Sequence, residues 1–210
     1  MSIILEYMMK NRALPLLRFD SLESVLPLAD SLIKGGLPLA AVTIRSEACF
    51  EGIEIIREKH PKMIIGVGDI VNITQAEQSI ERGAQFVLSP IVNREIIDYC
   101  INMNILVMPG CCTPTEIAVA MSYGAEVLNF FPNEALGGVS VMSAILGPFD
   151  DVKLIVTNGI SETNLHEYLD NKKVKICGVK WIATPEMVNQ GAFQEIVLRT
   201  KSLVETLNIK

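Results

Sequence analysis

The sequence predicts an α/β fold, a single (β/α)8 TIM barrel with a short N-terminal helix, and three observations point there. Short apolar runs rich in β-formers alternate with longer helical stretches along the whole chain, the pattern of successive βα units. Strand candidates fall at 13–18, 39–44, 63–68, 85–89, 105–109, 126–131, 153–157 and 174–179, which is the number a closed barrel needs. The 210 residues suit one sizeable core and lie near the lower end for a barrel, so residues 1–210 are expected to form one domain. The competing architecture, a doubly wound open sheet, ordinarily begins with a glycine-rich turn, and the first turn here, RFDS (18–21), has none.

In chain order, MSIILEYMMKNR carries Glu6 inside its apolar part and lacks a basic start, so it reads as a short amphipathic helix rather than a signal peptide. ALPLLR (13–18) is the first strand. Ser21 precedes LESVLPLADSLIKGG as a helix N-cap, and Gly35 and Gly36 stop that helix. After LAAVTI (39–44), Ser46 precedes EACFEGIEIIREKH. After MIIGVG (63–68), Thr74 is the expected cap of QAEQSIERG, which Gly83 stops. QFVLS (85–89), ILVMP (105–109), EVLNFF (126–131), KLIVT (153–157) and VKICGV (174–179) complete the strands, with Gly124 closing the helix before the sixth. GAQFVLSP (83–90) and GAEVLNFFP (124–132) share one plan: glycine, alanine, strand, proline.

Composition narrows the partners. The formal charge is -6 with no basic face, which speaks against nucleic acid, and no apolar run approaches a membrane span. The five cysteines are odd in number and match no metal spacing, so they read as free thiols in a reducing cytoplasm. The Cys111–Cys112 pair is either reactive or two small buried hydrophobes. His60 and His166 both sit in polar, helical surroundings as solvated residues. Acid–base chemistry would then rest on carboxylates, lysine or bound water, and no cofactor or metal motif is present.

A barrel places its site at the C-terminal strand ends. Those positions are Arg18, Arg45, Asp69, Ser89–Pro90, Gly110–Cys111, Asn129 to Pro132, Thr157–Asn158–Gly159 and Gly178–Val179–Lys180. The ring is polar and holds cations suited to a small anion. The loops after the seventh and eighth strands, the usual phosphate cradle, carry Asn158–Gly159 and Gly178, with Lys180 adding a cation.

VTIRSEA (42–48), GVGDIVN (66–72), GAQFVLSP (83–90), NFFPNEALGG (129–138), GPFDDVKLIVTNGIS (147–161) and CGVKW (177–181) together resemble the 2-keto-3-deoxy-6-phosphogluconate (KDPG) and 4-hydroxy-2-oxoglutarate (KHG) aldolases, in order and from Leu14 onward. The resemblance implies a (β/α)8 barrel, a homotrimer, and a pyruvate-forming retro-aldol cleavage through a lysine imine without a cofactor. It also implies a small anionic substrate, a keto acid with or without a phosphate. Arg45 matches the carboxylate-binding arginine, Pro90 the proline after strand four, and Phe131 and Pro132 the wall beyond the lysine. Gly159 and Gly178 match half of each phosphate-loop glycine pair. The reacting groups depart. Asn129 stands at the Schiff-base lysine position and Ala41 at the catalytic glutamate position. Asp69 replaces a threonine, Asn158 a glycine, Lys180 a serine, and Ile91 a glycine. An amide forms no imine, and a methyl carries no proton.

Each singled-out residue has a plain reading beside the functional one. Asn129 is a barrel-lining amide satisfied by neighbours, or a hydrogen-bond partner for a ligand carbonyl. Lys180 is an exposed loop lysine, a phosphate clamp, or a relocated imine-forming amine. Asp69 is a turn residue, or a base or metal ligand to which Glu134 would add a second oxygen. Arg45 pairs with a carboxylate such as Glu47, or binds the substrate carboxylate. Three activities follow: a variant aldolase, a non-catalytic binder of a keto acid or sugar-acid phosphate, or metal-assisted enolate chemistry at Asp69.

Overall fold

The computed structural model describes residues 2–209. Helix α1 (Ile3–Asn11) starts where the Ser2 hydroxyl accepts from Leu5 N, buries Leu5 and Met8, and packs against the first and last strands. The strands are β1 (Ala13–Leu17), β2 (Leu39–Thr43), β3 (Ile64–Gly68), β4 (Phe86–Leu88), β5 (Leu106–Met108), β6 (Gly110–Cys111), β7 (Leu128–Phe130), β8 (Leu154–Val156) and β9 (Val174–Val179). All pair in parallel, in the order β5-β4-β3-β2-β1-β9-β8-β7-β6. The two ends of that order, β5 and β6, are halves of one strand interrupted at Pro109. Continuity of the chain through Pro109 therefore closes the sheet into a barrel of eight βα units.

The fifth strand thus runs beyond the expected 105–109. Proline donates no hydrogen bond, so the ladder breaks there. The Pro109 carbonyl still accepts from Asn129 N at 2.8 Å, which carries the pairing across to β7. Gly110 is required at this crossing: a β-carbon on it would lie 2.2 Å from the Pro90 carbonyl carbon. The proline that ends the fourth strand is seated directly on the closure of the barrel.

The helices α2 (Val25–Lys34), α3 (Glu47–Lys59), α4 (Ile73–Glu81), α5 (Arg94–Asn102), α6 (Pro114–Ser122), α7 (Gly138–Ile145), α8 (Leu165–Leu169), α9 (Pro185–Asn189) and α10 (Phe193–Thr206) follow their strands. Ser21 caps a short 3-10 turn leading into α2, with its hydroxyl accepting from Glu23 N. Asn72, not Thr74, caps α4, and its side chain accepts from Gln75 N. Asn72 presents its acceptor from extended backbone just before the helix, whereas Thr74 already lies within the first turn. Gly36, Gly83 and Gly124 all adopt positive φ just beyond helix ends.

Helices cover the sheet from outside, so strand residues are buried on both faces: every residue of β1 is buried. Inside, Phe86 lies against Gly66, where any β-carbon would meet its ring at 2.5 Å. That ring fills the barrel beneath the strand ends. No helix among the described residues is long and apolar enough to cross a membrane.

Candidate functional site

At the C-terminal strand ends a small cavity of ≈ 20 Å³ is lined by Leu16, Thr43, Gly68, Asp69, Leu88, Ser89, Asn129, Phe131, Thr157, Asn158 and Lys180. Its volume holds about one water. A roomier groove of ≈ 360 Å³ lies outside the barrel, where Glu162 and Trp181 face Glu195 and Arg199 of α10. No residue of the predicted strand-end ring lines that groove, so the candidate site is the barrel mouth.

Asn129 lies on β7, opposite Gly110 and Ile155. It is 2 % exposed. Its amide donates to the Ser89 carbonyl at 2.9 Å, and its oxygen accepts from the Thr157 hydroxyl at 2.7 Å. Ser89 is itself tied down: its hydroxyl donates to the Ile70 carbonyl at 2.8 Å and accepts from Ile91 N at 3.2 Å. The C-terminal ends of β4, β7 and β8 are therefore laced by neutral hydrogen bonds in a buried setting, where each unmet polar group would be costly. The plain reading of Asn129 holds for its amide oxygen and one N–H, and the residue still faces the cavity.

Ala41 is fully buried in β2, in register with Leu16 of β1 and Gly66 of β3. Alternation along the strand places Ala41 and Thr43 on one face. Thr43 lines the cavity, so Ala41 faces inward one layer below it and presents only a methyl.

Arg45 and Asp69 form an ion pair through Nη2 and Oδ2, with side chains 57 % and 33 % exposed. Arg45 therefore does not pair with Glu47, which instead meets Arg82 at 3.2 Å. Arg82 reaches across from the end of α4, and Arg45 turns to Asp69 beyond β3. Asp69 adopts φ 61 and Asn158 φ 74, two left-handed non-glycine residues that both line the cavity. Asp and Asn tolerate this region best among ordinary residues, and such conformations gather at functional sites.

Glu134 does not join Asp69. Its Oε1 accepts from the Tyr168 hydroxyl and, at 3.5 Å, from Asn164 Nδ2. Burial pushes the Tyr168 phenol well up, and the adjacent carboxylate pushes it the same way, so Tyr168 remains a donor. Among the described residues, no three of His, Cys, Asp and Glu come together as a metal site.

Lys180 follows β9, is exposed, and lines the cavity. Arg18 turns away to Asp20, 3.4 Å distant, and does not line the mouth. Pro90, Gly159 and Gly178 shape the walls without lining the cavity; Phe131 and Asn158 do line it. Leu16, Thr43, Gly68 and Leu88 line the site and lie outside the predicted ring. Thr43 was within reach of sequence reasoning, two residues from Ala41 on the same face.

His60 bonds Asp30 at 3.0 Å on the outer surface, and His166 is exposed on α8. Cys111 is buried and Cys112 half-buried, and burial pushes the Cys111 thiol up to about 12. The buried-hydrophobe reading of Cys111 therefore holds.

The family model for KDPG and KHG aldolase matches residues 4–198. A 2-dehydro-3-deoxy-phosphogluconate aldolase of Treponema pallidum is 32% identical over 209 residues, covering 100% of both chains. The KHG/KDPG aldolase of Escherichia coli K12 is 34% identical over 191 residues, covering 91% of this chain and 90% of that one. Among solved structures, the KDPG aldolase of Legionella pneumophila, with pyruvate captured as a covalent carbinolamine intermediate, superposes with a TM-score of 0.88 at 29% identity, covering 91% and 93% of the two chains. With its parallel barrel closed at Pro109, its strand-end site and these matches over nearly the whole length, the chain belongs to the KDPG/KHG aldolase family.

Proposed function

We propose that this family member binds a small 2-keto acid at the barrel mouth without the strand-six imine and strand-two glutamate relay. The observation that carries the reading is Asn129. It occupies the strand-six position, is buried, and commits its oxygen and one N–H to Thr157 and Ser89. An amide nitrogen is not basic and does not add to a ketone, and Ala41 supplies no proton. The cation content of the mouth favours an anion: Lys180 is unpaired among the described residues, and Arg45 is held only by an exposed pair that a ligand carboxylate can replace. The cavity is about the size of one water, so a keto acid would sit above it, among the exposed side chains of the mouth. In this reading the chain acts as one domain over 1–210, as the family's homotrimer, in the cytoplasm. Its unpaired cysteines support that compartment.

Two measurements test it together. Pyruvate release from 2-keto-3-deoxy-6-phosphogluconate should run far below that of the E. coli relative, since loss of the proton relay alone is worth about 10²–10⁴-fold. Pyruvate should nonetheless raise the melting temperature, because a ligand bound only by the native state stabilises it. The Asn129→Lys, Ala41→Glu double variant should gain pyruvate release. Turnover by the unaltered protein at the relative's rate would refute the loss of the relay, and a flat melting temperature would refute keto-acid binding.

A further inference from the structure

The position of Lys180 is set by the alternation of β9. Gly178 turns its α-carbon toward the barrel interior: a β-carbon there would lie 2.7 Å from Thr157 Cγ2 and 2.9 Å from Leu16 Cδ1. Residues two apart share a face of a strand. Lys180 therefore starts from the same inward face, one layer nearer the mouth, and it lines the cavity with Ser89, Asn129 and Thr157. Glycine at 178 lets Thr157 and Leu16 close up beneath Lys180, so the amine stands above a packed layer.

Two further facts set Lys180 apart. It is the only lysine lining the cavity, and among the described residues its ammonium makes no hydrogen bond or ion pair. The other cation at the mouth, Arg45, is engaged with Asp69. A primary amine is thus held over a polar floor with no partner of its own, while the strand-six position carries an amide that cannot react.

We propose that Lys180 captures the bound keto acid covalently, which rests on the keto-acid reading above and names the group that would act in it. The free amine of Lys180 attacks the keto carbon. The new N–C bond forms as the carbonyl π pair moves to oxygen, and a proton passes from nitrogen to that oxygen, giving a carbinolamine. Loss of the oxygen as water, with a second proton from the amine nitrogen or solvent, leaves a C=N bond to Lys180. The Asn129 amide keeps one N–H beyond that given to Ser89, so a neutral donor remains for the carbinolamine oxygen. Arg45, released from Asp69, would take the carboxylate.

The experiment is borohydride trapping of the full chain with pyruvate, followed by peptide mapping, run beside melting-temperature measurements. The expected product is a secondary amine on Lys180 whose added mass is that of pyruvate less one oxygen, borohydride having supplied hydride to the C=N carbon. Lys180→Arg keeps the charge but removes the amine, so it should abolish the adduct while preserving most of the pyruvate-induced melting shift. Lys180→Met should lose both. A melting shift with no adduct, or with the adduct on another lysine, overturns the assignment to Lys180 and leaves keto-acid binding standing. No shift and no adduct overturn both. An undiminished adduct in Lys180→Arg also overturns it, whatever the fold of Lys180→Met.

Discussion

The two sides of the barrel mouth are built on opposite principles. On the side of β2 and β3, Arg45 and Asp69 meet as full charges in contact with solvent. On the side of β4, β7 and β8, Ser89, Asn129 and Thr157 meet as neutral groups buried from it. Formal charge suggests that the first is the stronger contact, and solvent reverses the order. An exposed pair gains little over its hydrated parts, typically about 0–1 kcal/mol. A buried donor or acceptor stripped of its partner costs about 1–3 kcal/mol, because no water replaces what was lost. The exposed side is therefore cheap to open for a ligand, and the buried side holds the frame that any ligand must fit.

The largest effect should come from Asn129→Ala. It leaves the Ser89 carbonyl and the Thr157 hydroxyl short of a partner and opens a small void, at a cost of about 2–4 kcal/mol measurable as a lower urea midpoint. A loss below about 1 kcal/mol would show that the network is not the frame of that side.

Glu116 tests an intermediate case, a charge held by neutral donors. It receives Cys112 N at 2.9 Å, Thr113 N at 3.0 Å and the Thr113 hydroxyl at 2.9 Å, in the capping box of α6. Burial pushes its carboxyl up, but the hydrogen bonds together outweigh burial and the net shift is downward. A carboxyl lowered in the folded state stabilises it above the unfolded range, and the contribution is lost as pH falls through the lowered native value. Glu116→Gln should thus cost about 1 kcal/mol near neutral pH, and the difference from the unaltered protein should shrink on acidification. Urea melts across that range read it directly; a pH-independent difference would contradict it.

The smallest effect on stability should be at the ion pair. Arg45→Gln and Asp69→Asn should each shift stability by less than about 1 kcal/mol, with a coupling that fades in added salt. Arg45→Gln should nevertheless weaken pyruvate binding, whereas Asp69→Asn should leave it intact or strengthen it by freeing the guanidinium. Calorimetric titration separates the two variants, and equal affinities would detach Arg45 from the ligand.

Most of the frame was legible because it is local. Apolar runs bounded by helix stops gave the strands even where β4, β7 and β8 shrink to three residues. The cap of α4 was misplaced by two residues because Asn72 and Thr74 are both competent cap types, and only the backbone at the helix start separates them. The closure at Pro109 was not legible at all. A proline after an apolar run ends a strand on sequence grounds, and nothing local says that the strand resumes on the far side of the barrel seam.

The site divides the same way. The sequence by itself determined what two side chains cannot do, since the amide of Asn129 forms no imine and the methyl of Ala41 moves no proton whatever surrounds them. It also determined the likeness to a family and the strand-end placement of Arg45, Asp69 and Lys180. Only the tertiary structure decided the partners. Asn129 meets Ser89 across 40 residues and Thr157 across 28, and Arg45 meets Asp69 across 24. Contacts at such separations are fixed by how the barrel closes rather than by the residues' own preferences. Reactivity belongs to the side chain and can be read from a letter; satisfaction and exposure belong to the neighbours and exist only once the chain is folded.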